Sequence, residues 1–244
     1  MNIIMKKMYM ILILLLILMI SGCSDDKEKG EEEVNNTEND KYDITEVTYT
    51  DNNININYPQ ISNLSDSEKQ DRINELIKTE ALVVLESYKD DINNLNLNMN
   101  FEIMYKGSDI LSIKYLGLSS VKGTAFPTNE INTTNIDLAK EQLLTLSDVV
   151  TVNDTFIEKF NAGKYKEYSS DLNLESEGAL NDALNYLDSN NLIASFKKEA
   201  AKFYFTNESL VVSVEVAHVM GDHLEMEIKY NDLGDLLLLT PADL

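Results

Sequence analysis

Residues 94–123 read NLNLNMNFEIMYKGSDILSIKYLGLSSVKG, and the fold class turns on them. Leu95, Leu97, Met99, Phe101, Ile103 and Tyr105 occupy every second position. Side chains of a strand alternate between its faces, so this spacing predicts a strand with those six residues on one buried face. Lys106-Gly107-Ser108-Asp109 is turn chemistry. The next run places Leu111, Ile113 and Tyr115 on one side and Ile110, Ser112 and Lys114 on the other. Two such runs around a short turn predict an antiparallel hairpin that buries one face.

Working outward, upstream runs at residues 42–50 and 54–58 flank the turn Asp51-Asn52-Asn53 and predict another hairpin, stopped by Pro59. Residues 65–91 carry Ile73, Leu76, Ile77, Ala81, Val84, Leu85 and Tyr88 at spacings of three and four, a helical core stripe. Ser65 and Glu68 have the spacing of a capping box at its start. Downstream, a strand is expected near 131–138, a helix from Asn153 or Asp154 to Tyr165, and helical structure over 179–198. Strands follow at 203–205, 210–220 and 223–230, with Gly221-Asp222 as a two-residue type II′ turn. Strands and helices come in blocks. The expected fold class is α+β: antiparallel sheets with helices packed on one face, in two adjoining small subdomains.

The first 41 residues read differently. Lys6 and Lys7 precede Met8–Ile20, an apolar run of 13 residues. At about 1.5 Å per residue this spans ~20 Å, short of the ~30 Å hydrocarbon core, which fits a signal peptide better than a spanning helix. Small residues Ser21 and Gly22 lead into Cys23, the only cysteine of the chain. The stretch ISGC resembles the lipobox of bacterial lipoproteins. The resemblance implies that the Cys23 thiol carries a diacylglyceryl group and becomes the mature N-terminus. Two acyl chains suffice for stable anchoring where one does not. Residues 24–41 hold one aliphatic side chain, Val34, among a dense set of acids. They cannot bury a core and read as a disordered tether. The expected organisation is a lipoprotein signal peptide at 1–22, an acidic tether at 23–41, a first α+β domain at 42–128 and a second at 129–244. The expected location is extracytoplasmic, on the outer face of the bacterial cell membrane.

Charge excludes one class of partner. The net charge is −22, and removing residues 1–22, which carry Lys6 and Lys7 and no acid, makes it −24. Such a surface repels phosphate backbones, so nucleic acid is not an expected partner. The absence of Trp argues against a stacked-sugar cleft.

The sequence carries no recognisable catalytic constellation and no cofactor motif. There is no G-x-S-x-G, and a lipidated Cys23 leaves no thiolate nucleophile. Both histidines lie in HVMGDH, at 218–223. With a two-residue turn, His218 faces Glu225 across the strands, and the two read as a candidate pH-sensitive pair. His223 then points to the opposite face, so the two histidines cannot share one zinc. Asp171, Asn173 and Glu175 alternate as in a calcium loop, but the glycine needed at the sixth position is missing. No metal site is therefore expected.

Over about 42–238 the order of elements resembles a pair of adjoining bacterial extracytoplasmic domains of unknown function. These are found ahead of the catalytic domain of peptidoglycan deacetylases and in the ectodomains of lysozyme-binding anti-sigma factors. The first domain's signature is similar to YPQISNLSDSEKQDRIN (58–74) and ILSIKYLGLSSVKGTAFPTN (110–129). The second's is similar to TTNIDLAKEQLLTLSDVV (133–150) and FYFTNESLVVSVEVAHVMGDHLEMEIKYNDL (203–233). Many relatives have a Gly-Gly-Ala-His-like stretch where this chain has LSSVKGTAFPTN. The resemblance implies a displayed α+β unit and not an activity. The expected function is a non-catalytic envelope recognition or binding module. A cell-wall component (peptidoglycan) or a cationic lysozyme-type protein is the expected partner, met through the sheet edge or the loops near Gly117–Asn129. The alternative is an envelope hydrolase with a carboxylate pair, which would require a concave pocket and an acid of raised pKa.

Overall fold

The chain enters through a hairpin of β1 (Asp43–Asp51) and β2 (Ile54–Ser62). The fold is described from a computed structural model over residues 42–167, 173–175, 178–198 and 201–241. Asn52 takes a left-handed φ of 49° between the two strands, which asparagine tolerates. Contrary to expectation, β2 continues through Pro59 to Ser62. Its pairing with the neighbouring strand on the far side ends at Ile56. Beyond that point Pro59 has a partner strand on one side only, a position where proline is tolerated.

Helix α1 (Ser67–Leu82) follows, then a 3-10 stretch over Val83–Tyr88. Its cap is Asp66 and not Ser65: the carboxylate accepts the Lys69 amide at 3.0 Å. The helix buries Ile73, Ile77 and Ala81. It is also a crossover, and this explains why β2 pairs in parallel with β3 (Leu95–Lys106). All other pairings are antiparallel: β3 with β4 (Ile110–Val121), β4 with β5 (Thr128–Asp137), and β5 with β6 (Gln142–Leu143). The sheet order is β1-β2-β3-β4-β5-β6. The strand near 131–138, which the sequence assigns to the second subdomain, thus belongs to the first sheet.

The asparagines of NLNLNMN have a structural use. Asn98 and Asn100 accept from Asn55 and Asn57 at 3.4 and 2.8 Å on the exposed face of the sheet. On the other face Leu97 and Met99 pack with Ile113, Tyr115 and α1. The alternation breaks near Met104. Ile103 pairs with Ile113, but Tyr105 pairs with Ser112, so one extra residue is inserted. The bulge moves Tyr105 to the opposite face, where it joins the second core with Ile110. Its expected place beside Ile103 is corrected accordingly.

Gly117 faces Met99 across β3 and β4. A Cβ there would lie 2.4 Å from both Asn98 O and Met99 Cγ. Gly117→Ala is expected to destabilise the unit by roughly 1–3 kcal/mol through overpacking. Urea denaturation measures this, and an unchanged midpoint would show that the strands can separate locally at no cost.

The second sheet forms around α2 (Leu146–Val149), α3 (Asp154–Asn161), β7 (Lys164–Lys166), α4 (Leu180–Tyr186) and α5 (Ser189–Phe196). Its remaining strands are β8 (Lys202–Phe205), β9 (Ser209–Glu215) and β10 (His223–Lys229), followed by α6 (Tyr230–Leu233). The order is β7-β10-β9-β8. Asn153 caps α3 by accepting the Phe156 amide at 3.0 Å. Phe156 and Phe160 meet Phe196 of α5 edge-on, with centroids 5.9 and 5.2 Å apart. The alternating residues Phe203, Phe205, Leu210, Val212, Leu224 and Met226 supply the sheet side of this core. The α+β class with antiparallel sheets is as read from the sequence. Both sheets lie within one compact unit, Glu38–Leu244.

Candidate functional site

The second faces of the two sheets meet in a polar seam. Strand β8 ends the second sheet, so the outer backbone groups of Phe203 and Phe205 have no ladder partner. Side chains from the first sheet take that place. Ser112 Oγ accepts from the Phe205 amide at 3.0 Å, and Thr133 Oγ1 accepts from the Phe203 amide at 3.1 Å. Asn135 Nδ2 donates to Phe203 O at 2.7 Å while its Oδ1 accepts the Ser112 hydroxyl at 2.6 Å. Ser112, Thr133 and Asn135 share a face because β4 and β5 pair Ser112 with Asn135 and Lys114 with Thr133.

Beside these bonds lies a buried charged cluster. Glu225 Oε2 on β10 accepts the Tyr204 hydroxyl at 2.5 Å, and Lys114 Nζ is 3.9 Å from the same oxygen. Lys114 also reaches Glu102 at 3.5 Å and sits 5.1 Å from the Tyr204 ring centroid. Burial, reinforced by Glu225, holds the Tyr204 hydroxyl protonated far above the usual phenol range. His223 Nε2 is 3.7 Å from Glu225, too far for a hydrogen bond. Burial pushes the His223 imidazole down to about 4, helped by Lys202 and Lys114 and opposed by the Asn129 backbone and Asp222. The nearby Glu225 would favour the charged ring, but desolvation outweighs it, and His223 is neutral at pH 7.

His223 therefore carries a pH signature. Its folded pKa is lower than its unfolded value, so the unfolded state binds the extra proton between about pH 6.5 and 4. Stability is lost as pH falls through that window, by about 3 kcal/mol at most. His223→Gln is expected to remove this increment, leaving the shallower slope from carboxylates. Urea midpoints of both proteins at pH 7 and 4.5 test it; parallel losses would contradict a neutral buried ring.

A cleft of about 500 Å³ opens beside the seam, bounded by α5, Ile131 of β5 and the Lys202, Ser213 and His223 face of the second sheet. A separate apolar groove of about 470 Å³ lies between α4 and the 3-10 turn His218–Met220, lined by Ala183, Leu187, Val216 and Met220.

The β4–β5 and β9–β10 connections meet at the surface. Asp222 Oδ2 accepts from the Asn129 amide at 2.8 Å, and its Oδ1 lies 2.8 Å from His218 Nδ1. The His218 ring stacks on Phe126 at 5.4 Å. Phe126 and Val219 are 68% and 79% exposed. Below the loop, the Tyr88 and Ser119 hydroxyls both donate to Glu130, Ser119 at 2.7 Å. Burial pushes Tyr88 up to about 12.

The candidate pair His218 and Glu225 is not brought together. Strand β9 ends at Glu215, and the connection includes the His218–Met220 turn, Gly221 at φ 98° and Asp222 at φ 70°. A two-residue turn would have extended the ladder to His218. The longer loop instead pairs His223 with Glu215 and Glu225 with Ser213. His218 takes Asp222 as its partner, while Glu225 turns to Tyr204 and Lys114. The Gly117–Asn129 connection is also shorter than expected, since β4 extends to Val121 and β5 starts at Thr128. Cys23, the signal segment, the tether and Asp171 lie outside the described residues. Among the described residues no group of three or more His, Cys, Asp and Glu is placed to hold a metal ion.

Sequence reasoning missed Lys114, Tyr204, Ser213 and Lys202 as site residues. A signal was present: polar and charged residues at the alternate positions of β9 and β10 mean that the second face meets something polar. Only the pairing of the two sheets says what.

The fold is thus an α+β unit of two antiparallel-rich sheets joined at a polar seam. No protein-family model and no curated protein matches the chain. Among solved structures it is similar to a member of the DUF3298 family from Bacteroides fragilis, at 13% identity, covering 81% of this chain and 93% of that one, with a TM-score of 0.49. It is also similar to a DUF3298 family protein from Pseudomonas aeruginosa, at 12% identity, 83% and 96% coverage and a TM-score of 0.46. At these identities no residue role passes from either protein to this chain.

Proposed function

We propose that this chain is a non-catalytic recognition module of the bacterial cell envelope, held to the outer face of the membrane by a diacylglyceryl group on Cys23. It meets its partner through the surface shared by the β4–β5 and β9–β10 loops. The observation that carries this reading is the exposed pair Phe126 and Val219, held in place by the His218–Asp222–Asn129 link. An aromatic fixed before binding loses little freedom on contact, and such residues dominate binding energy at interfaces. The acidic surface favours a cationic partner of the lysozyme type, with peptidoglycan as the other candidate ligand. The hydrolase alternative requires an acid of raised pKa in a pocket. Glu80 is such an acid, raised by burial, but it sits on α1 and lines neither of the two clefts described.

The test is a pull-down of the unit Glu38–Leu244 against lysozyme and against purified peptidoglycan at two salt concentrations. Saturable binding that survives physiological salt and drops at least tenfold in Phe126→Ala and Val219→Asp is expected. Binding abolished by salt would reduce the contact to charge alone. Binding unaffected by both substitutions would move the site elsewhere.

A further inference from the structure

Ser213, which lines the seam-side cleft, is the strongest unexplained group among the described residues. It is 5% exposed, and among the described residues its Oγ has no hydrogen-bond partner. Buried hydroxyls are rarely left unbonded, because an unmade bond costs about 1–3 kcal/mol. Its cross-strand neighbour on β8 is Lys202, on the same face. Lys198 lines the same cleft. Among the described residues neither lysine makes an ion pair. Two carboxylates also border the cleft. Asp188 is committed to capping α5, accepting the Asn191 amide at 3.0 Å, and Glu215 is exposed. The third polar wall is the neutral His223 ring. Leu187, Leu192 and Ile131 form the apolar wall.

We infer that this cleft is a binding site for a small organic anion. Its carboxylate is held by Lys202, Lys198 and the Ser213 hydroxyl, and its apolar body lies against Leu187, Leu192 and Ile131. Lys202 and Ser213 are cross-strand partners that line the same cleft, and an ammonium group and a hydroxyl are both donors suited to a carboxylate. In a chain of net charge −22, two lysines in one cleft with no ion pair among the described residues are a local exception to the field. A volume of about 500 Å³ suits a small molecule and not a polymer segment. The site contains residues of both sheets, so occupancy would brace the seam. It does not rest on the loop surface proposed above, and either reading can fail alone.

The experiment is ligand-observed NMR on the full-length chain in detergent micelles. The probe is N-acetyl-L-leucine, with N-acetyl-L-leucinamide as its uncharged counterpart and inorganic phosphate as competitor. The expected result is saturable binding of the acid, at least tenfold weaker binding of the amide, and displacement by phosphate at higher concentration. Lys202→Met is expected to weaken the acid at least tenfold, and Ser213→Ala about threefold. Far-UV circular dichroism checks that both variants keep the fold, and Ser213→Ala is the smaller change should Lys202→Met perturb β8. Micelles without protein set the background. Equal binding of acid and amide would overturn the anion assignment. Unchanged affinity in both folded variants would overturn the location. No saturable binding up to about 10 mM would overturn the site.

Discussion

Glu225→Ala is expected to cost about 3–5 kcal/mol of unfolding free energy, the range for breaking a buried ion pair from one side. The Glu225 and Lys114 side chains are 6% and 11% exposed. Removing the carboxylate leaves Lys114 with Glu102 alone, a partner whose side chain is 60% exposed and well hydrated. It also strands the Tyr204 hydroxyl, which is wholly buried and donates to Glu225 at 2.5 Å. The cost therefore comes from two orphaned groups and not from the net strength of the pair. That distinction is measurable. The double variant Lys114→Met, Glu225→Leu removes both charges, and it is expected to be more stable than Glu225→Ala even though it carries two substitutions. Urea denaturation of the single and double variants closes the comparison. A loss under about 1 kcal/mol in Glu225→Ala, or a double variant no more stable than Glu225→Ala, would mean that the two charges do not depend on each other.

Asn135→Ala is expected to cost about 2–6 kcal/mol, from two buried groups, the Phe203 carbonyl and the Ser112 hydroxyl, left unbonded at about 1–3 kcal/mol each. Asn135 is 3% exposed and binds in both directions, to Ser112 and to the Phe203 carbonyl. Asn135→Asp tests the direction of the bond. The carboxylate still accepts from Ser112 but has nothing to donate to Phe203 O, and it brings a buried charge. It is expected to be at least as damaging as alanine at pH 7. Native-state hydrogen exchange supplies a second readout: the amides of Phe203 and Phe205 should lose protection before those of Leu97 and Ile113. Stability within about 0.5 kcal/mol of the parent would show that the sheets are held by apolar contact alone.

Both residues stand in stretches whose local structure is plain from the sequence. The strand around Asn135 and the strand carrying Glu225 are legible as alternating runs, because a strand's period of two is a local property. The α1 stripe is legible for the same reason at a period of 3.6. Errors fall where structure depends on a distant partner. The bulge at Met104 sends Tyr105 to the second core, and nothing in NFEIMYKG marks it. The β9–β10 loop is longer than Gly221-Asp222 suggests, and within it Asp222 accepts from Asn129, 93 residues away. The resulting register pairs Glu225 with Ser213 and parts it from His218. β5 pairs in the first sheet although the boundary expected after residue 128 puts it in the second domain, because its pattern fits either sheet.

The sequence alone determined the strands and helices, their apolar faces, the acidic surface and the α+β class, since each follows from nearest-neighbour periodicity or from composition. The tertiary structure alone decided which polar residues meet. Ser112 and Phe205, also 93 residues apart, become bonded only when two sheets close on each other. A buried amide, lysine or carboxylate looks the same in sequence as an exposed one. Its partner is chosen by the packing of strands whose order no local pattern encodes.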